Sequence, residues 1–310
     1  MARPAHDHDS IAAIARLRFE DGLSQGEIAR RLGVSEATVS RAIKRAFAAG
    51  ILEIRVTPAG WRDAAREAAL CRTLGLDRAV VVSPPRSGQT ADLARATASA
   101  LETMVAPGDV IGVSDGAAVA AVAAAARRVA VRGIEVVPLI GGIGAPRLAT
   151  HSGEVSRVLA AGLGARSWQL PVPAIVDSAD IARLLAASAA LAEPHALIAR
   201  ASIALFGIGA MDPSASILRH GMIGAEAVNA LARDGAAGSI CGRFFNAHGV
   251  ALTGETDGRT MAISLEALTA IPVRLAVAAG DAKVDAIHAA ARGGLITALA
   301  TDAATADALA

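Results

Sequence analysis

Between Ser24 and Arg45 the chain reads SQGEIARRLGVSEATVSRAIKR and gathers hydroxyls, an amide and cations at close spacing. Ser35, Thr38 and Ser40 offer hydroxyls, Glu36 a carboxylate, and Arg41, Lys44 and Arg45 positive charge. Carried on one helix, with Ser24 and Gln25 opening the helix before it, such groups can reach base edges and phosphates when the helix lies in a DNA major groove. The charge from Ser24 to Arg45 is +3, five basic residues less Glu27 and Glu36, against +1 for the whole chain. Any hold on nucleic acid must therefore be local.

The surrounding spacing says how those side chains are positioned. Ser24 with Glu27 three residues later is a capping box that starts a helix. Gly33 suits a left-handed C-terminal turn, Ser35 caps a further helix running to about Ala49, and Gly50 closes it. Ala29 is small where two helices approach, and Val39 packs back under the first helix, with Ile28, Leu32 and Ile43 also pointing inward. A plain helical hairpin would show a polar solvent face too, but it does not require alanine, glycine and valine at these offsets together with hydroxyls at the second helix start. Upstream, Ile11, Ile14, Ala15 and Leu17 recur at helical spacing until Gly22. Downstream, ILEIRV alternates like a strand and TPAG reads as a linker. Residues 1–57 are thus expected to form a helix-turn-helix DNA-binding domain, and 58–310 a larger domain for effector binding and oligomerisation. A helix-turn-helix reads double-stranded operator DNA most effectively as a pair across two half-sites, so a homo-oligomer is implied.

Beyond Trp61, apolar runs such as AVVV, VIGV, VVPLI, IALFG, VRLAV and ITALA are each followed by a helical pattern. Strands without period-2 alternation, each trailed by a helix, indicate an α/β fold with a mainly parallel sheet covered on both faces. SICGRFFNAHG and RTMAISLEAL break the rhythm and suggest an antiparallel excursion. Three strands end in glycine-containing loops, GVSDGAA, LIGGIGA and FGIGAMD, the last contributing Gly207. In an open parallel sheet ligands bind outside the carboxyl ends of the strands, where glycine lets backbone N–H groups approach a ligand. None of these loops is a GxGxxG or a Walker A sequence, so no dinucleotide, ATP or other cofactor is expected.

Composition narrows the classes further. A hydrophobic share of 53% with 19% charged residues describes a core-rich globular chain. Cys71 and Cys241 are isolated, which fits neither a disulfide framework nor a zinc site. The N-terminal residues lack a signal-peptide core and no apolar run approaches the ~20 residues of a membrane span, so a cytoplasmic protein without membrane contact is expected. Among 30 basic residues only Lys44 and Lys283 are lysines. An isomerase or deaminase would need a general base at a strand end. Asp115, His151 and Asp212 qualify by type, but nothing in the sequence groups them into an acid–base pair, so no enzymatic activity is expected.

LSQGEIARRLGVSEATVSRAIKRAFAAGILEIRV, VIGVSDG, VVPLIGG, GSICGRFFNAHG and IPVRLAVAAGDAKVDAIHAAARGGLITALATD occur in this order. From about Ile11 to its C-terminus the chain resembles the SorC family of sugar-responsive bacterial transcriptional regulators. The resemblance implies a winged helix-turn-helix joined to an effector domain like that of sugar-phosphate isomerases, in a homodimer or homotetramer. It implies an effector mouth built from Gly112, Ser114 and Gly116, the Gly141–Gly142 turn, Arg243 and Lys283. A guanidinium suits a planar phosphate and Lys283 stands where a helix opens. The chain departs from the family pattern at Asp115, where an aromatic is common, and at Ala118, where threonine is common. It departs again at Ala279, in place of glycine, and at Asn246, in place of aspartate. Asp115 would repel a phosphate dianion and would accept hydrogen bonds from sugar hydroxyls. The expectation is a regulator of a carbohydrate-metabolism operon answering to a sugar, polyol or sugar phosphate.

Overall fold

The computed structural model describes residues 8–19, 21–52, 61–83, 89–146, 148–211 and 223–310. The chain divides into two compact units, Met1–Pro58 and Ala59–Ala310.

The first unit contains helices α1 His8–Phe19, α2 Gln25–Leu32 and α3 Glu36–Ala48. Ile14, Ile28, Ala29, Val39, Ala42 and Ile43 form its core, and Ile11, Ala15 and Ala46 form a second small cluster against Ile51 and Leu52. Leu32, expected inside, is 44% exposed. It is the last residue of α2, and the chain then turns through left-handed Gly33 so that Val34 packs on the core instead. The strand expected from ILEIRV and the TPAG linker fall, from Glu53 on, outside the described residues.

The second unit is built on a seven-stranded sheet in the order β1-β10-β9-β5-β2-β3-β4. The strands are β1 Arg78–Val82, β2 Val110–Val113, β3 Glu135–Pro138, β4 Arg166–Ser167, β5 Ile203–Gly207, β9 Val273–Val277 and β10 Ala298–Asp302. All its pairings are parallel. Side chains alternate between two apolar layers. Val81, Val137, Phe206, Ala276 and Leu299 enter one, while Val80, Val136, Leu205, Val277 and Ala300 enter the other. Because both faces are covered, the strands read as continuous apolar runs. The covering helices include α4 Ala64–Leu74, α5 Gln89–Met104, α6 Ala117–Ala125 and α7 Ser152–Leu163; α8 Ala179–Ala186 and α9 Ala189–Ala199 follow β4.

The outer edge of β1 is sealed by the start of the unit. Asp63 N donates to Val81 O at 2.9 Å and Ser83 N to Trp61 O at 3.0 Å. Glu67 accepts from Val81 N at 3.0 Å while also pairing with Arg62. Such capping removes a free template for strand pairing. The excursion expected near SICGRFFN is an antiparallel three-stranded sheet of β6 Gly209–Ala210, β7 Ala236–Ile240 and β8 Arg243–Asn246. β7 and β8 join through Cys241 and Gly242, both at positive φ (51° and 72°), as a two-residue primed turn demands. RTMAISLEAL contributes isolated antiparallel bridges, Ile175–Thr260 and Ile140–Ala262, and then the Leu265–Thr269 helix.

Candidate DNA-reading face and effector cavity

In the first unit the caps set the angle of α2 and α3. Ser24 Oγ accepts from Glu27 N at 3.2 Å and Glu27 Oε2 accepts from Ser24 N at 2.7 Å, so the capping box is closed in both directions. Those hydrogen bonds hold the Glu27 carboxyl below its ordinary range. Ser35 Oγ accepts from Thr38 N at 3.2 Å and lies 2.8 Å from Thr38 Oγ1. With Val39, Ala42, Ile43 and Ala46 buried, the opposite face of α3 presents Ser35, Glu36, Arg41, Lys44 and Arg45 as exposed residues, with Thr38 and Ser40 partly so. Arg41 lies along its own helix, Nε donating to Ala37 O at 3.2 Å and Nη2 to Thr38 Oγ1 at 3.4 Å. Glu36 leans the other way, against α2. A Cβ added to Gly26 would come within 2.9 Å of its carboxylate oxygen, so Glu36 serves the packing of the two helices. Gln25 is half-buried beside exposed Ser24 at the start of α2.

In the second unit the succession of strands diverges between β2 and β5. From β2 the chain proceeds to β3 on one side, and from β5 through β9 and β10 on the other. Adjacent loops that leave in opposite directions open a crevice at the carboxyl ends. Ser114 sits there, buried, donating Oγ–H to Asp115 O at 2.9 Å and accepting from Gly207 N at 3.4 Å. Gly116 donates to Thr150 O at 3.0 Å and, at φ 105°, ends the loop as the cap of α6, with no side-chain cap bond. Asp115 is close enough for its charge to act on Cys241, whose thiol is pushed up first by burial and then by that carboxylate.

Next to this crevice is a cavity of about 390 Å³. It is lined by Leu93, Ala118, the run from Val277 to Asp281, Lys283, Asp302, Ala304 and Thr305. Gly280 takes φ 105° and donates to Thr305 Oγ1 at 2.7 Å, tying the loop after β9 to the turn after β10. Asp302 Oδ1 accepts from Thr305 N at 2.7 Å and so caps the final helix. Two helix starts, at Ala117 and Val284, have caps without side-chain hydrogen bonds and direct positive dipole ends to this side of the sheet. Lys283 adds the ammonium.

Several residues expected at the mouth have other work. Gly112 lies within β2, where a Cβ would fall 2.4 Å from Leu139. It makes room in the core. Gly141 and Gly142 donate their N–H groups to Met261 O at 2.9 Å and Val172 O at 2.8 Å. A Cβ on Gly141 would meet Pro173 O at 2.5 Å, and one on Gly142 would meet His151 Nε2 at 2.1 Å. Their donors are spent on neighbouring chain, so they permit close backbone packing. Arg243 differs most from its expected role. Nη1 donates to Asp257 O at 2.5 Å and to its carboxylate at 2.8 Å, Nη2 to Thr260 O and Ala262 O at 2.9 Å, and Nε to Ile263 O at 3.4 Å. A guanidinium has five N–H donors, and all five are used. Arg243 clamps the 257–263 segment and offers no fork to a ligand.

His151 caps α7 through Nδ1, which accepts from Gly153 N at 3.2 Å, and burial lowers its pKa below the ordinary value. Asn246 Oδ1 accepts from His248 N and Val250 N, closing the turn after β8. Asp212 lies outside the described residues. The cavity also contains side chains the sequence reading passed over, among them Leu93, Asp302 and Thr305. The strand-end pair Thr301–Asp302 opening a terminal helix was the available signal for the latter two.

A paired-helix DNA-reading face on one unit and a strand-end cavity on the other define a ligand-responsive transcription regulator. Residues 61–310 match the family described as “Putative sugar-binding domain”, and residues 12–49 match sigma-70, region 4. The chain is 34% identical to the deoxyribonucleoside regulator of Bacillus subtilis, across 95% of both chains. It is 31% identical to the erythritol catabolism regulatory protein of Brucella abortus, across 97% of this chain and 96% of the other. The full-length sorbitol operon regulator SorC from Klebsiella pneumoniae superposes with a TM-score of 0.75 at 28% identity, over 98% of both chains. The chain belongs to the SorC family of transcriptional regulators.

Proposed function

We propose that this regulator's grip on operator DNA is set by a small hydroxyl-rich ligand, a sugar, polyol or sugar phosphate, held in the cavity at the carboxyl ends of β9 and β10. The observation that carries the reading is that cavity, walled by Ala118, Gly280 and Lys283 in one unit, in a chain whose other unit presents Arg41, Lys44 and Arg45 on an exposed helix face. The relatives are named for a deoxyribonucleoside, erythritol and sorbitol, a sugar-bearing nucleoside and two polyols. Lys283 and the two helix starts favour an anionic or strongly polar group, while Asp281 and the backbone carbonyls accept from ligand hydroxyls. Asp302 is partly committed as a cap, and Arg243 holds the neighbouring 257–263 segment in shape without touching ligand.

The protein acts by binding and not by turnover. His151, a candidate base by type, spends Nδ1 on the cap of α7. Two copies of the chain pair their recognition helices across an operator in the cytoplasm, and ligand alters that pairing. It can do so only through its differential affinity for the DNA-competent and DNA-incompetent arrangements. A tenfold change in operator affinity needs 1.4 kcal/mol of such difference.

Melting curves against a panel of sugars, polyols and their phosphates test the reading. At ~100 times its dissociation constant a ligand adds about 2.7 kcal/mol of stability. A shift with one member of the panel, and a change in operator binding with that same member, is the expected result. A panel without any shift would overturn the cavity as an effector site.

A further inference from the structure

We infer that the cavity beside β9 and β10 selects an uncharged polyol or free sugar over its phosphate ester, and that the Asp302 carboxylate makes the selection by accepting from ligand hydroxyls. The inference rests on the reading of this cavity as the effector site and commits it to one of the ligand classes that reading leaves open.

Charge decides first. The lining contains one ammonium, Lys283, and two carboxylates, Asp281 and Asp302. The starts of α6 and of the Val284–Arg292 helix, whose caps have no side-chain hydrogen bonds, also face this side of the sheet. Each brings about half a positive charge. Positive and negative contributions cancel, so the cavity is close to neutral before anything enters it. A phosphate ester would bring a charge of about −1.5 to −2 into a site with no excess of cations to meet it. Backbone donors of the strand-end loops are occupied as well. Gly116 N donates to Thr150 O, Gly207 N to Ser114 Oγ and Gly280 N to Thr305 Oγ1. The guanidinium of Arg243 is spent on the 257–263 segment.

Asp302 supplies what hydroxyls need. Ala298 and Ala300 of β10 enter the same apolar layer as Leu93 and Val277. Strand alternation puts Asp302 on that side too, where it lines the cavity while only 6% exposed. Its Oδ1 accepts from Thr305 N, and a carboxylate has about four acceptor positions, enough for the cap and for ligand hydroxyls together. Lys283 and the helix starts only donate, the two carboxylates only accept, and a hydroxyl does both. A run of hydroxyls therefore satisfies both kinds of wall at once, while Leu93, Ala118, Val277 and Ala304 give its C–H groups an apolar face. A nucleobase fits less well, because none of the described residues lining the cavity is aromatic and a base has no ring to stack on.

The test is the melting temperature of the full chain, native and Asp302→Asn, titrated with erythritol, ribitol, xylitol, sorbitol, ribose and fructose. Each is run beside its monophosphate, and inorganic phosphate is run alone. The concentration dependence of the melt gives each dissociation constant. One neutral compound is expected to stabilise the native chain, with its monophosphate at least about tenfold weaker. Asparagine caps a helix as well as aspartate does, so Asp302→Asn should melt near the native temperature without ligand. It should bind the neutral compound about tenfold more weakly, and the gap to the monophosphate should narrow. Asp281→Asn, at an exposed position, should change both in the same direction by about threefold, and it carries the test should Asp302→Asn melt low. A monophosphate that binds the native chain more tightly than its parent compound overturns the selection and leaves the cavity as the effector site. Native affinity and native discrimination in a folded Asp302→Asn protein overturn the role of Asp302. If no compound, charged or neutral, moves the native melt, the effector reading itself falls and the inference with it.

Discussion

Arg41 and Arg243 are the same side chain in opposite circumstances, and the contrast extends to the units that hold them. Arg41 stands on the exposed face of α3 with two loose contacts to its own helix. Arg243 is largely buried and directs five donors into the 257–263 segment, including a 2.8 Å contact to Asp257. In the first unit, the candidate DNA-reading side chains are those that local spacing leaves pointing outward. In the second, the candidate effector cavity is built by loops from distant parts of the chain that meet at one edge of the sheet. The same residue type lies exposed on a helix in the first setting and holds the chain in shape in the second.

Exchanging each arginine for alanine should separate these roles. Arg243→Ala leaves several half-buried carbonyls and the Asp257 carboxylate without their donors. It should cost roughly 3–5 kcal/mol, seen as a large fall in melting temperature, and Arg243→Lys should not restore it because an ammonium cannot match five directed N–H groups. Arg41→Ala should leave the melt within about 0.5 kcal/mol while weakening operator binding by about 1–3 kcal/mol in fluorescence anisotropy. A stability loss at Arg41, or none at Arg243, would break the contrast.

Smaller effects sharpen it. Ser24→Ala opens the capping box and should destabilise the first unit by about 1 kcal/mol, with operator binding lost in step as the unit unfolds. In the second unit the cap of α7 is a histidine, which makes it sensitive to pH. The folded pKa of His151 lies below its ordinary 6.5, first because of burial. The unfolded chain therefore takes up the proton first. Stability is complete above pH 6.5 and falls as the pH drops below that value towards the folded pKa, where Nδ1 can no longer accept from Gly153. His151→Asn keeps a capping acceptor that does not titrate, and should flatten this limb of a melting-temperature profile below about pH 6.5.

The same contrast explains how much was legible beforehand. The caps at Ser24 and Ser35, the turn at Gly33 and the inward Ile28, Ala29 and Val39 all fall within the 16 residues from Ser24 to Val39, and local spacing reports them. The parallel sheet was legible because both its faces are apolar. What spacing could not report is which loop meets which. Gly141 and Gly142 look like ligand-approach glycines until Pro173 and His151 are found packed against them. Arg243 looks like a phosphate fork until the 257–263 segment fills it. Conversely, Thr305 is 25 residues from Gly280, and only the adjacency of β9 and β10 brings the two together.

Lys283 is where the two kinds of reading coincide, named by its helix start and found in the cavity wall. The most direct test is therefore ligand-dependent melting of the native chain beside Lys283→Ala, using whichever sugar, polyol or sugar phosphate stabilises the native protein. The account predicts that the substitution removes most of the ligand-induced shift, leaves the ligand-free melt nearly unchanged, and retains operator binding that no longer answers to ligand. A Lys283→Ala protein with the full native shift would place the effector elsewhere and contradict the account.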